Sequence, residues 1–106
     1  DWSSDVCSSD LSDYGCFRAP EECKGMKKKP SEYLHQIYVD SMVFTAEGLR
    51  HLVAECGASQ VVLGTDYPFP WDGENTIDHV LTAPGMSDKD KRLILGETAA
   101  KLLKIT

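Results

Sequence analysis

The stretch Val61-Val62-Leu63-Gly64 constrains this chain more than any other. It is apolar without polar alternation, which describes a strand covered on both faces. A sheet with one wet face would alternate, so the run predicts a parallel sheet with helices outside it. A second short run, Ile37-Tyr38-Val39-Asp40, is β-branched and aromatic and reads as a strand ending in an aspartate. Parallel neighbours need a crossover, and the residues between supply one. Thr45 is placed to cap a helix, and Glu47 sits in its first turn, where the helix dipole favours an acid. Leu49, Leu52, Val53 and Cys56 then share one face, and Gly57 stops the helix.

Downstream the chain reads as helical. Residues 74–81 form a helix with Ile77, Val80 and Leu81 inward, ended by Pro84-Gly85. Ser87 caps the next helix, with Asp88 and Asp90 in its first turn. That helix runs to about Leu95, Gly96 interrupts it, and residues 97–103 form the last one. Residues 12–29 read as a loop with at most a short helix near 21–24, and Pro30-Ser31-Glu32-Tyr33-Leu34 as a short helix.

The order is strand, helix, strand, helix, helix, an α/β class. From Asp40 to Asp66 is 26 residues, against about 31 per repeat in a (β/α)8 barrel. An open doubly wound sheet also fits, although no Gly-rich phosphate loop accompanies these strands. Two parallel strands cannot cover their own edges or both their faces, so this segment is expected to need further strands.

Asp1 to Leu11 has no helix or strand periodicity. It reads as one translated frame of a common sequencing-library adapter, an artefact expected to be disordered, which leaves 12–106 as the domain segment. The 106-residue chain carries a net charge of −6, with eleven basic and seventeen acidic residues. Without Asp1, Asp5 and Asp10 the balance is 14 acids to 11 bases. Neither balance suits a general nucleic-acid binder. The one basic cluster, Lys27-Lys28-Lys29 with Lys24 nearby, reads as a solvated loop. No apolar run approaches the roughly 18 residues of a membrane span, and no secretory leader is recognisable. With Cys7 set aside in the adapter stretch, Cys16, Cys23 and Cys56 are an odd set without metal-ligand spacing, expected to be buried thiols of a cytoplasmic protein.

Asp66 is the main candidate for chemistry. It follows a fully apolar strand, so its carboxylate falls where parallel strands open into a shared mouth. Position alone fits an aspartate capping the next turn equally well. Tyr67, Phe69 and Trp71 lie on the proline-stiffened loop that follows and could line a pocket or pack against the rim. Asp40 could support the same site or cap its own turn. His35, His51 and His79 read as surface residues.

The heptapeptide Gly64-Thr65-Asp66-Tyr67-Pro68-Phe69-Pro70 resembles the last-strand motif of the metal-dependent amidohydrolase superfamily, in its aminocarboxymuconate-semialdehyde decarboxylase-like branch. Pro30 to Leu34, Tyr38-Val39-Asp40, Val61 to Leu63 and the closing Ile94-Leu95-Gly96 and Ala99 to Leu103 resemble the same branch in the same order. The resemblance implies a distorted (β/α)8 TIM barrel, of which 12–106 is the C-terminal portion with strands 7 and 8. It implies one divalent metal, often zinc, at the C-terminal mouth, with Asp66 binding the metal or its water. Phe69 resembles an aromatic that packs near the substrate, with Tyr67 and Trp71 as weaker pocket residues. The family's His-x-His and later histidines have no counterpart here. Thr98 stands where many relatives show Asn, a departure expected to touch helix capping.

The activity implied is a decarboxylase acting on a small carboxylated compound. A lactone or ester hydrolase of the same superfamily and a non-catalytic barrel relative are the alternatives. The partner expected is a small molecule, with no nucleic acid, no membrane and homo-oligomer formation left open. The chain alone is expected to bind metal weakly, because one carboxylate is far short of a catalytic zinc's ligands.

Overall fold

A computed structural model describes residues 11–69 and 75–105. The chain divides into two units, Asp1–Ile37 and Tyr38–Thr106.

The first unit is held by local ties more than by a core. Helix α1 spans residues 11–18, followed by 3-10 helices at Pro20–Cys23 and Pro30–Gln36. Among its described residues only Leu34 is buried. Two corrections fall here. The expected loop begins instead with α1, a helix whose Leu11, Tyr14 and Phe17 stay exposed, so no buried stripe announces it. Cys16 and Cys23 are not free buried thiols but a disulfide, with Cα atoms 5.7 Å apart. The seven-residue separation crosses the end of α1 and the next turn, which folds the two cysteines back on each other. A unit with so little to bury is where a covalent staple contributes most.

Asp13 accepts hydrogen bonds from the Ser31 hydroxyl at 2.5 Å and the Ser31 backbone N–H at 2.8 Å. These bonds, with Lys29 nearby, hold its carboxyl below the usual carboxylate range. The Glu32 side chain accepts from the Lys29 backbone N–H at 2.7 Å, and the Lys28 ammonium sits 4.9 Å over the Tyr33 ring. Lys24, Lys27, Lys28 and Lys29 are exposed, as a solvated loop requires.

The second unit is a β-α-β unit followed by helices. Strand β1 (Val39–Asp40) pairs in parallel with β2 (Val61–Val62), Val39 opposite Val61 and Asp40 opposite Val62. Helix α2 (Ala46–Cys56) makes the crossover. Thr45 Oγ1 accepts from the Gly48 N–H at 2.9 Å, and Leu49, Leu52 and Cys56 are buried along one face. Gly57 ends α2 at φ 82°, a left-handed conformation that a side chain resists. A 3-10 turn at Ala58–Gln60 then launches β2.

Helices α3 (Thr76–Thr82) and α4 (Asp88–Arg92) are capped by Asn75 and Ser87. A π-helical turn, Leu93–Glu97, leads from α4 into α5 (Thr98–Leu102). The backbone stays right-handed helical through Leu93, Glu97 and Thr98. Gly96 therefore lies inside a continuous helix with one widened turn and does not interrupt it, a second-unit departure from the sequence expectation.

The core gathers Val43, Leu49, Leu52, Cys56, Ala58, Val61, Val80, Ala83, Leu93 and Ile94. The Leu93–Glu97 turn packs on β2 and on the Ala58–Gln60 turn. Val61 is fully buried on that side, whereas Val62 and Leu63 are half-buried. Successive strand residues face opposite ways, and a two-stranded sheet covered by these helices closes off one face better than the other. Ile77 and Leu81 are about half exposed rather than inward. Helix α3 packs on the Leu93–Glu97 turn, and Val80 is buried while the flanking Ile77 and Leu81 are not. No helix among the described residues is long and apolar enough to cross a membrane.

Candidate active-site rim

Both strands end on the same side of the sheet because they are parallel, and their exits are sewn together. The ladder continues past β1: the Ser41 N–H donates to the Val62 carbonyl at 2.8 Å. The Ser41 hydroxyl, on a residue 3% exposed, accepts from the Gly64 N–H at 3.3 Å. Asp40 Oδ1 accepts from the Met42 N–H at 2.9 Å, closing a small turn. A Cβ placed on Gly64 would lie 2.6 Å from Asp40 Cβ and 2.9 Å from its Cγ. Only glycine lets the β2 exit pass this close to Asp40.

Asp66 follows two residues later with φ 54°. Aspartate is one of the few side chains that tolerate the left-handed region, and departures of this kind concentrate at functional sites. Its carbonyl accepts from the Phe69 N–H at 3.1 Å, around a cis Tyr67-Pro68 bond. Thr65 Oγ1 accepts from the Tyr67 N–H at 3.3 Å. The tight turn leaves Asp66 exposed, with Tyr67 and Phe69 more open to solvent than any buried aromatic would be, at 88% and 60%. Trp71 lies outside the described residues. Asp40, which the sequence offered either as a turn cap or as a support to the site, caps its turn and also packs beside Gly64.

His35 and His51 are exposed on the Pro30–Gln36 helix and α2. His79, on α3, differs from a plain surface residue: its Nε2 is buried and has no hydrogen-bond partner. No histidine, cysteine, aspartate or glutamate group of three or more is placed to hold a metal ion among the described residues. Asp66 offers a hard carboxylate oxygen that suits a divalent ion, yet a catalytic zinc takes about three protein ligands. The described residues do not by themselves form a metal shell.

Sequence reasoning did not foresee the Ser41 bond or the Gly64–Asp40 contact. A glycine ending an apolar strand is the available signal for a close approach. A buried serine carries none.

The chain belongs to the amidohydrolase family: the family model described as Amidohydrolase matches residues 16–105. Among particular proteins, it is similar to 2-amino-3-carboxymuconate-6-semialdehyde decarboxylase of Dictyostelium discoideum, 34% identical over 86% of this chain and 26% of that one. It is similar also to the protein of the same name from Caenorhabditis elegans, 35% identical over 81% of this chain and 22% of that one. The chain thus spans about a quarter of the length of the curated relatives it matches.

Proposed function

We propose that this chain carries the seventh and eighth strands, with their helices, of a (β/α)8-barrel decarboxylase that acts on a small carboxylated compound. The observation that carries the reading is the Gly64-Thr65-Asp66 exit at the C-terminal end of a parallel strand, in a chain of the amidohydrolase family. In barrels of this kind that end of the strands is where chemistry is placed. The decarboxylase name of both relatives favours carbon dioxide release over hydrolysis.

When bound, a divalent ion, zinc being the first to test, would supply charge that polarises the substrate and stabilises the electrons left at carbon. Asp66 would contribute one carboxylate toward holding it. When the carboxylate leaves as carbon dioxide, its bonding electron pair stays on the adjacent carbon, which takes up a proton. Asp66 Oδ takes that proton from water, whose hydroxide re-equilibrates with the solvent, and delivers it to the carbon. Tyr67 and Phe69 are exposed on this loop and offer faces on which a flat, conjugated substrate would stack, and Trp71 follows them in the sequence.

The test is carbon dioxide release from 2-amino-3-carboxymuconate-6-semialdehyde by the metal-loaded protein translated from the complete reading frame around this segment. Release that depends on the metal supports the proposal. Lactone or ester hydrolysis without carbon dioxide would replace it with the hydrolase reading. Neither activity, in a protein lacking an upstream His-x-His, would overturn both.

A further inference from the structure

We propose that Asp40 is a positioning residue for Asp66, acting through Gly64. Three observations converge on the two strand exits. The Asp40 side chain occupies the volume beside Gly64 so closely that no Cβ fits between them. Its Oδ1 is fixed by the Met42 N–H, so the side chain is anchored rather than free to swing away. Ser41, the next residue, holds the Gly64 N–H through its hydroxyl and the Val62 carbonyl through its own N–H. Asp40 and Ser41, at and just past the end of β1, therefore hold the end and exit of β2 on both sides of Leu63. Asp66 leaves this grip two residues on, in a left-handed conformation whose direction depends on where Gly64 is held.

The arrangement gives the two aspartates at the strand exits different roles. Both side chains are exposed, and the Asp40 carboxylate accepts the Met42 N–H. Its work is done by volume and by one accepted hydrogen bond, not by its charge. The consequence is specific: Asn should replace it, because Asn keeps both the volume and an acceptor oxygen. What Asp66 is positioned for rests on the proposed decarboxylase reading; that Asp40 positions it does not.

The test uses the isotope-labelled complete protein translated from the reading frame around this segment and follows the backbone amide and side-chain carboxyl resonances of Asp66, with urea midpoints measured alongside. Gly64→Ala is expected to shift both Asp66 resonances by more than a linewidth and to lower the midpoint. Asp40→Gly is expected to do the same in the parent background. In the Gly64→Ala background, Asp40→Gly should reverse sign and bring the resonances and midpoint back toward the parent, because it vacates the space the added methyl needs. Asp40→Asn should leave the Asp66 resonances in place, a rescue that a purely electrostatic role would not give. If Gly64→Ala does not fold, recovery of a folded spectrum in the double variant supports the proposal, and failure of the double variant overturns it. Unmoved Asp66 resonances in Gly64→Ala, or effects of the two substitutions that simply add, also overturn it. Because none of these readouts involves turnover, an inactive parent enzyme would leave this result standing and sink the functional reading alone.

Discussion

The Thr98 hydroxyl donates a hydrogen bond to the Ala58 carbonyl at 3.0 Å, forty residues away in sequence, with both residues buried. The bond ties α5 to the turn that launches β2. Thr98 therefore acts across the unit and not as a helix cap. Thr98→Val keeps the shape and removes the donor, leaving the Ala58 carbonyl without it in a buried setting. Such a loss costs about 1–3 kcal/mol. Urea unfolding should show a lower midpoint for Thr98→Val and a smaller loss for Thr98→Ser, which keeps the hydroxyl. Equal midpoints for Val and parent would mean the bond contributes nothing net.

Gly96 should be replaceable to advantage. It is exposed within the continuous helix of α4, the π turn and α5, and nothing lies within 4 Å of a Cβ placed there. No left-handed backbone holds the site for glycine. Gly96→Ala should stabilise the protein by about 0.4–1 kcal/mol, chiefly by restricting the unfolded chain. A lowered midpoint would show that the widened turn itself requires glycine.

Cys56 is 1% exposed, and burial, reinforced by the neighbouring Glu55, pushes its thiol up. The folded form thus resists becoming a thiolate more than the unfolded chain does. Its contribution to stability is complete below the ordinary thiol range, near pH 8.5, and declines as pH rises through the higher folded value. Alkylation of Cys56 should be slow in the native protein and fast in urea. Stability should fall as pH rises above the ordinary thiol range, and Cys56→Ala should flatten that part of the profile. An identical slope in the variant would place the dependence on other groups.

The Cys16–Cys23 bond should matter only to the first unit. A cross-link closing so short a loop contributes about 2–3 kcal/mol by restricting the unfolded chain. Adding reductant should open new cleavage sites for a nonspecific protease within residues 11–37 while residues 38–105 keep their cleavage pattern. Equal cleavage rates with and without reductant would show that the local hydrogen bonds at Asp13 and Ser31 suffice.

What could be read from the sequence followed from local physics. The caps at Thr45 and Ser87, the stop at Gly57 and the buried face of α2 each depend on residues within one or two turns, so their patterns are explicit. That the two strands run parallel followed from two apolar runs and a crossover of suitable length, whereas the register that sets Val39 opposite Val61 did not. What failed was set by partners distant in sequence or by how much surface those partners cover. Ile77 and Leu81 were read onto one inward stripe with Val80, yet of the three only Val80 is buried where α3 packs on the Leu93–Glu97 turn. The cysteine pair was misread because an odd count says nothing about which two side chains a helix end brings together. At the rim, Asp66 stood out by its place after an apolar strand, while Ser41 and Gly64 acquire meaning only when the two strands lie side by side.

The central claim is that the carboxylate of Asp66 takes part in the reaction of the whole enzyme. Its most direct measurement is the steady-state decarboxylation rate of the metal-loaded, complete protein carrying Asp66→Asn, which keeps the size of the side chain and removes its charge and proton exchange. A loss of about 10²–10⁴-fold in kcat/KM, the usual range for a positioned acid–base group, with an unchanged melting temperature, is the predicted result. A variant that decarboxylates as fast as the parent would contradict the account.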